Sequence, residues 1–444
     1  MRAQLLWAWR RLNANYWFYP ALFAVLALAL AFACIAADRA GWAERLNEVE
    51  WLVPARPDGA ANMLTVIAGS MIAVASTVFS ITIVAVSYAS STYGPRLLTN
   101  FMEDKGNQFS LATFIGTFVF AITVLRTVRG EDESASTTVD AAATTLPGFV
   151  PQLSLLVAFL LMGLSVAVLV YFLNHVPSAI RINQVVRGIG ERLMSLIAKT
   201  YPERGENGDL ARRPEGNPLL AKEAGYVQLI DFEELARMAR DCGSQFTLSV
   251  RTGDFVHRGL TILQVSGGDC DEERMEELHG CFTQGAGRTP EQDPEFLIDE
   301  LVEIGLRALS PGINDPFTAV TALHWLGAAT AELGSRKLVK QVCDEDAESC
   351  PVHPVPDDFD HYVRRGFGAI RSAVATSPIA ARIMLETLQN AAGSVSSDNR
   401  RTLLLDEAKR LHEQASLNLR GPDKREVDER FAVLMAEFDQ ARSA

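Results

Sequence analysis

Four stretches of this chain run for about twenty residues or more with almost no charge. The longest, Ala61–Thr92, contains no Asp, Glu, Lys or Arg. Such a run exceeds an ordinary buried helix and is long enough to cross a bilayer, whose apolar core of about 30 Å takes roughly 20 helical residues. Spans are predicted over residues 18–37, 62–90, 109–128 and 152–171. A basic, aromatic arm precedes the first, and Trp7, Trp9, Tyr16, Trp17 and Tyr19 suit the headgroup level. Arg10 and Arg11 before an apolar run resemble the start of a signal peptide. That apolar part is too long, however, and no small-residue cleavage site precedes Asp38 and Arg39, so it reads as a retained helix.

The second span is the one around which the chain is expected to be organised, and it is rich in hydroxyls. Ser76, Ser80, Ser87 and Ser91 are spaced to form one polar stripe on a helical period. Gly69, Ser70, Ala73 and Thr77 add small residues suited to close helix packing. Two readings stay open: a helix–helix contact with hydroxyls bonded back to carbonyls, or the wall of a water-filled path in an oligomer. Between spans, a short interfacial helix is expected at Glu44–Leu52, and Gly94-Pro95 ends or kinks the second span. The loop over 129–149 is acidic, whereas Arg2, Arg10 and Arg11, then Arg181, Arg187, Arg192 and Lys199, flank the outer ends. Four spans with these flanks put both termini in the cytoplasm.

Past residue 175 the pattern changes. A juxtamembrane helix is expected over 176–200, with Asn174 and His175 at the joint, and residues 201–217 read as an exposed linker. Residues 218–268 alternate in the manner of a small strand-rich module. A strand is expected at Gly225–Ile230, a helix at Asp231–Asp241 with a capping-box spacing to Glu234, a turn at Gly253-Asp254 and a strand at Leu260–Val265. The rhythm resembles the small β-barrel of lipoyl and biotinyl carriers, without a modifiable lysine at the turn tip. An acidic helix follows at 269–280. Helices are then expected at 294–309, 316–332, 336–345, 358–373, 376–391, 399–418 and 423–440.

Composition narrows the function. The net charge of −13 argues against a nucleic-acid surface. Six cysteines without a CxxC pair suggest reduced thiols and no metal site. His353 and His361 flank Asp357, Asp358 and Asp360 at a spacing that matches no familiar site. No P-loop, GxSxG or HExxH occurs, so an enzyme is not expected. The least generic local stretch surrounds Ser310-Pro311-Gly312 and Asn314-Asp315-Pro316, a helical hairpin with a polar elbow. Asp315 suits an N-cap with Pro316 at the first helical position. Arg307, Ser310, Asn314 and Asp315 would converge there, with Arg288 and Asp293 near. Cap, turn and ion pair explain these residues; a small-ligand or ion site, or a subunit contact, are the alternatives.

Four segments in order, NANYWFYPAL, VASTVFSITIVAVSYASSTYGPRLL, QFSLATFIGTFVFAITVLR and ALSPGINDPFTAV, resemble the bacterial DUF2254 family of predicted membrane proteins. The resemblance covers most of residues 11–330. It implies a polytopic inner-membrane protein and supplies no chemistry. Where family members usually carry alanine, this chain has Gly305.

The expectation is therefore an α-helical polytopic membrane protein. Residues 1–175 hold four transmembrane helices, and the cytoplasmic α+β region comprises a small β-barrel-like module and a helical module over 269–444. The function expected is a homo-oligomeric channel-like or transport-related protein of the bacterial inner membrane. Its path would be lined by Ser76, Ser80, Ser87 and Ser91 and would pass ions, with no cofactor. The alternative is a membrane-anchored scaffold or sensor binding a ligand or partner through its cytoplasmic part.

Overall fold

The structure, a computed structural model, describes residues 15–41, 56–94, 104–129, 149–205, 215–268, 270–343, 350–395 and 397–443. The expected interfacial helix at Glu44–Leu52 lies outside them. The chain divides into two compact units, Met1–Arg181 and Ile182–Ala444.

The first unit holds α1 (Phe18–Arg39), α2 (Pro57–Tyr93), α3 (Lys105–Leu125) and α4 (Gln152–Ala179). All four are long and apolar enough to cross a membrane. At 1.5 Å per residue, the 37 residues of α2 reach about 55 Å, well beyond an apolar core of about 30 Å. The helix at the centre is α3, not the serine-rich α2. It packs against α1, α2 and α4, and Leu111, Phe114, Phe120 and Val124 are buried around it. Small residues allow this. Gly116 leaves α1 in van der Waals reach, so that a Cβ there would lie 3.5 Å from the Phe23 carbonyl oxygen. On another side, Thr117 Oγ1 and Ser165 Oγ of α4 share a buried hydrogen bond of 2.9 Å.

Both ends of this bundle are closed by carboxylates. Asp38, buried at the end of α1, accepts from Leu153 N (2.9 Å), Ser154 N (3.0 Å) and Ser154 Oγ (2.6 Å). A residue distant in sequence thus caps the first turn of α4, where free N–H groups and the helix dipole favour an anion.

The second unit starts with α5 (Ile182–Thr200), whose Val186, Ile189, Leu193 and Ile197 are buried. Strands β1 (Asn217–Leu220), β2 (Gly225–Ile230), β3 (Gln245–Leu248), β4 (Phe255–Val256), β5 (Thr261–Ser266) and β6 (Phe282–Gly285) follow. Helix α6 (Phe232–Cys242) lies between β2 and β3, and α7 (Glu272–His279) precedes β6. Asp231 caps α6 through Glu234 N (3.2 Å).

The expected β-barrel-like module is not formed: the described residues make two open sheets. One has the order β1-β5-β3-β7 and the other β4-β2-β6, with β7 at Val352–His353. Successive strands alternate between the sheets, and neither sheet closes on itself. Strands of two to six residues are short for the tilt and stagger that closure needs. Their inner faces meet in a core of Val227, Ile230, Phe246, Val256, Leu263 and Phe282.

The helical part comprises α8 (Pro294–Ala308), α9 (Pro316–Gly334), α10 (Phe359–Val363), α11 (Ala369–Val374), α12 (Pro378–Gly393), α13 (Asp398–Asn418) and α14 (Gly421–Ser443). Three expectations need correcting. In the linker expected over 201–217, Pro202, Glu203 and Arg204 are exposed, but Tyr201 at its start is fully buried. The helix expected at 336–345 is absent from its described residues, 336–343. Its backbone instead pairs with the chain after α5, Lys337 N donating to Glu203 O (2.9 Å) and Gln341 N to Thr200 O (3.3 Å). The helix expected at 358–373 is interrupted by a π-helical turn, Arg364–Gly368, carrying the helix-weakening Gly366 and Gly368.

Gly305 has a packing role in this chain. A Cβ there would sit 2.3 Å from Ile370 Cδ1, so the glycine lets α8 close on α11.

Candidate functional site

Two groups of residues stand out from the sequence: the serines of α2 and the elbow between α8 and α9. On α2, the face that packs into the bundle carries Leu64, Ile67, Met71, Ala75, Val78 and Ala89. Ser76, Ser80, Ser87 and Ser91 are exposed. At 3.6 residues per turn they fall within an arc of roughly 60°, centred opposite the packed face. The stripe therefore points away from the protomer.

Two of its hydroxyls, and that of neighbouring Thr77, bond back to the helix backbone. Ser80 Oγ donates to Ser76 O (2.9 Å), Ser91 Oγ to Tyr88 O (2.9 Å) and Thr77 Oγ1 to Ala73 O (3.0 Å). Each hydroxyl oxygen retains acceptor capacity. Gly69 lies on the same face, with nothing within 4 Å of where its Cβ would be.

The elbow is a closed turn. Asp315 N donates to Ala308 O (2.7 Å), and Asn314 N to Ser310 O (2.9 Å). Ser310 Oγ donates to Arg307 O (2.6 Å). Asp315 caps α9, accepting from Thr318 N (3.1 Å) and Thr318 Oγ1 (2.6 Å). Asn314 adopts φ +50°, a left-handed conformation that asparagine tolerates better than most residues. The Arg307 guanidinium lies 3.4 Å from Glu303.

Arg288 and Asp293 do not join this turn. Asp293 caps the opposite end of α8, accepting from Phe296 N (3.0 Å), and Arg288 bridges it to Asp299 (2.6 and 2.7 Å). Gly253 is required there, since a Cβ would lie 2.2 Å from Asp293 Oδ2 at a φ of +93°. Burial pushes the Asp293 carboxyl up to about 6, against the opposing pull of Arg288.

The acidic and histidine residues near 357 are also dispersed. Asp357 is buried with Tyr201 Oη (2.5 Å), Arg251 Nε (3.0 Å) and Lys340 Nζ (3.3 Å). Burial raises the Tyr201 and Tyr362 hydroxyls well above the usual phenol range. Asp358 caps α10, Asp360 pairs with Arg364, and His361 Nε2 lies 3.0 Å from Glu295. These contacts tie the sheets to the helices.

Two features escaped the sequence reading. Asp104 caps α3 through Gly106 N (2.7 Å) and also meets His175 Nε2 of α4 (2.8 Å), whose ring stacks on Tyr171. Gly106 makes room, because a Cβ would lie 2.5 Å from His175 Nε2. The glycine two residues after the aspartate was the available signal. The second is a disulfide between Cys343 and Cys350, where reduced thiols were expected. Cys34, Cys242, Cys270 and Cys281 are free.

Comparison with known proteins agrees with the membrane architecture. The family described as "Predicted membrane protein (DUF2254)" matches residues 13–390. An uncharacterised protein of Mycobacterium bovis is 31% identical over 362 residues, covering 78% of this chain and 66% of the relative. An uncharacterised protein of Mycobacterium tuberculosis matches to the same extent. The chain thus spans just under two thirds of the length of these relatives. No solved structure matches it. With four apolar helices in the first unit and a family match over most of its length, the chain belongs to the DUF2254 family of predicted membrane proteins.

Proposed function

We propose that this protein is a homo-oligomeric, channel-like or transport-related protein of the bacterial inner membrane, with both termini in the cytoplasm. The hydroxyl face of α2 borders its polar path. The observation that carries this reading is the outward direction of Ser76, Ser80, Ser87 and Ser91. Lipid tails leave the remaining hydrogen-bonding capacity of these hydroxyls unmet, whereas water or a neighbouring helix meets it. Gly69 and Ala73 on the same face let a second helix approach closely. Residues 61–93 carry no Asp, Glu, Lys, Arg or His, so the path has no fixed carboxylate, amine or imidazole along α2 to relay protons.

Potassium and sodium flux into proteoliposomes tests the reading. The wild type should exceed empty liposomes, and the Ser80→Leu/Ser87→Leu variant should lose most of that flux while keeping the same oligomeric state. Equal flux in both proteins would overturn it. A second reading, a membrane-anchored scaffold or sensor, draws on the exposed apolar side chains at the elbow. It predicts no flux in either protein.

A further inference from the structure

The second unit carries an apolar patch that its own fold leaves uncovered. Phe317, Ile313 and Leu306, at and beside the elbow, are 70%, 43% and 39% exposed. The turn presents them firmly. Asp315 is tied to Ala308 behind and to Thr318 ahead, so Ile313 and Phe317 flank a closed loop.

The direction of the patch follows from helix register within the unit. Gly190 of α5 lies against the Trp325 ring of α9: a Cβ there would sit 2.1 Å from Trp325 Cδ2. Further along, Arg336 Nη1, just past α9, donates to Tyr201 O, just past α5, at 2.7 Å. The step from Gly190 to Tyr201 and that from Trp325 to Arg336 are the same length in sequence. The two helices therefore run parallel and in step. Traced backwards by equal steps from the Gly190–Trp325 contact, Ile182 falls level with Phe317, each about 12 Å away at 1.5 Å per residue. Helix α8 returns in the opposite sense as the first arm of the hairpin, and its Glu300 lies 3.7 Å from Arg192 of α5. The elbow is thus at the Ile182 end of the unit.

Chain connectivity says what lies beyond that end. Only Ile180 and Arg181 separate Ile182 from Ala179, the last residue of the apolar helix α4. The patch lies at the end of the unit to which α4 is joined. Partly exposed Arg307 and exposed Arg187 belong to the elbow and to the start of α5, where cations suit lipid phosphates.

We propose that the elbow is a lipid-docking surface, with Phe317 and Ile313 entering the boundary between headgroups and acyl chains and Arg307 at the phosphate level. An aromatic ring and an aliphatic side chain on a rigid turn gain by leaving water for that layer, and a neighbouring arginine adds attraction to anionic lipid. The elbow polar groups then act as the frame that holds the apolar tip. This inference is independent of the transport reading, because it requires only that α4 crosses the membrane.

Photo-crosslinking of the full-length protein tests it. p-Benzoylphenylalanine is placed singly at Phe317, Ile313 or Phe255, and the protein is reconstituted in phosphatidylethanolamine–phosphatidylglycerol liposomes. Phe255 is the control: it is 57% exposed, on β4. Its neighbour Gly253 touches Asp293, which caps the end of α8 opposite the elbow. Lipid adducts are counted by mass spectrometry after irradiation, with unchanged thermal unfolding confirming the fold. Adduct yields at Phe317 and Ile313 should exceed that at Phe255 by roughly tenfold, as expected for side chains held in the interfacial layer. Yields no higher than at Phe255, or adducts to a second copy of the protein in place of lipid, would overturn the proposal.

Discussion

Two glycines of α5, Gly188 and Gly190, provide a matched test of the register on which the second unit is assembled. Replacing a helical glycine by alanine in open space stabilises a helix by about 1 kcal/mol, through lower backbone entropy in the unfolded chain and better helix propensity. Gly188 has open space, with nothing within 4 Å of a new Cβ. Gly190 does not: the Cβ would lie 2.1 Å from both Cδ2 and Cε3 of Trp325 and 2.8 Å from its Cγ. A rigid ring cannot swing aside as the end of a flexible chain does, so helix or ring must shift. Overpacking of this kind costs about 1–3 kcal/mol and occasionally more. Against the propensity gain, Gly190→Ala should be net destabilising by up to about 2 kcal/mol, and Gly188→Ala stabilising by about 1 kcal/mol. For a unit of this size 1 kcal/mol moves Tm by roughly 2–4 °C. Thermal unfolding of the purified protein in detergent should then rank Gly188→Ala above wild type and wild type above Gly190→Ala. If both variants raised Tm equally, Trp325 would not lie on Gly190, and the parallel packing of α5 and α9 would be refuted.

Two further predictions concern ionisation and thiols. Asp293 in the folded state titrates at about 6, above its ordinary 3.8, because burial disfavours the carboxylate. Its contribution to stability is therefore fully present below pH 3.8 and lost as pH rises through about 6. Asp293→Asn keeps an oxygen to cap Phe296 and removes that titration, so the Tm difference between pH 5 and pH 7.5 should shift against low pH relative to wild type. The same pH response in both proteins would refute the assignment. The Cys343–Cys350 bond leaves four free thiols among the six cysteines. Denatured, unreduced protein should take up four maleimides and reduced protein six. Six without reductant would refute the bond.

The spans were legible because charge disappears for the length of a bilayer crossing, a pattern local in sequence. Caps were legible for the same reason: Asp231 and Asp315 each satisfy an N–H three residues onward. What depended on distant partners was hidden. Asp38 caps a helix beginning more than a hundred residues later, and His175 meets Asp104 from another helix. The central place of α3 was hidden because its partners on α1, α2 and α4 are distant in sequence, while the outward serines of α2 drew attention to the peripheral helix. Strand alternation marks an inner and an outer face equally in a barrel and in two facing sheets. The openness of the sheets depended on β7, which adds beside β3 through Phe246 and Val352 after the long α8–α9 excursion. At the elbow the turn chemistry was legible, but the exposure of Phe317 was not, because alternating packing decides which side of α9 is covered.

Cysteine accessibility in reconstituted membranes tests the central claim, a wet path along the outer face of α2, most directly. Ser80→Cys and Ser87→Cys should react with a charged, membrane-impermeant methanethiosulfonate and lose ion flux as they do. Phe79→Cys, exposed on the flank of the same helix, should do neither. Serine-position thiols that stay unreactive, or that react without any change in flux, would contradict the account.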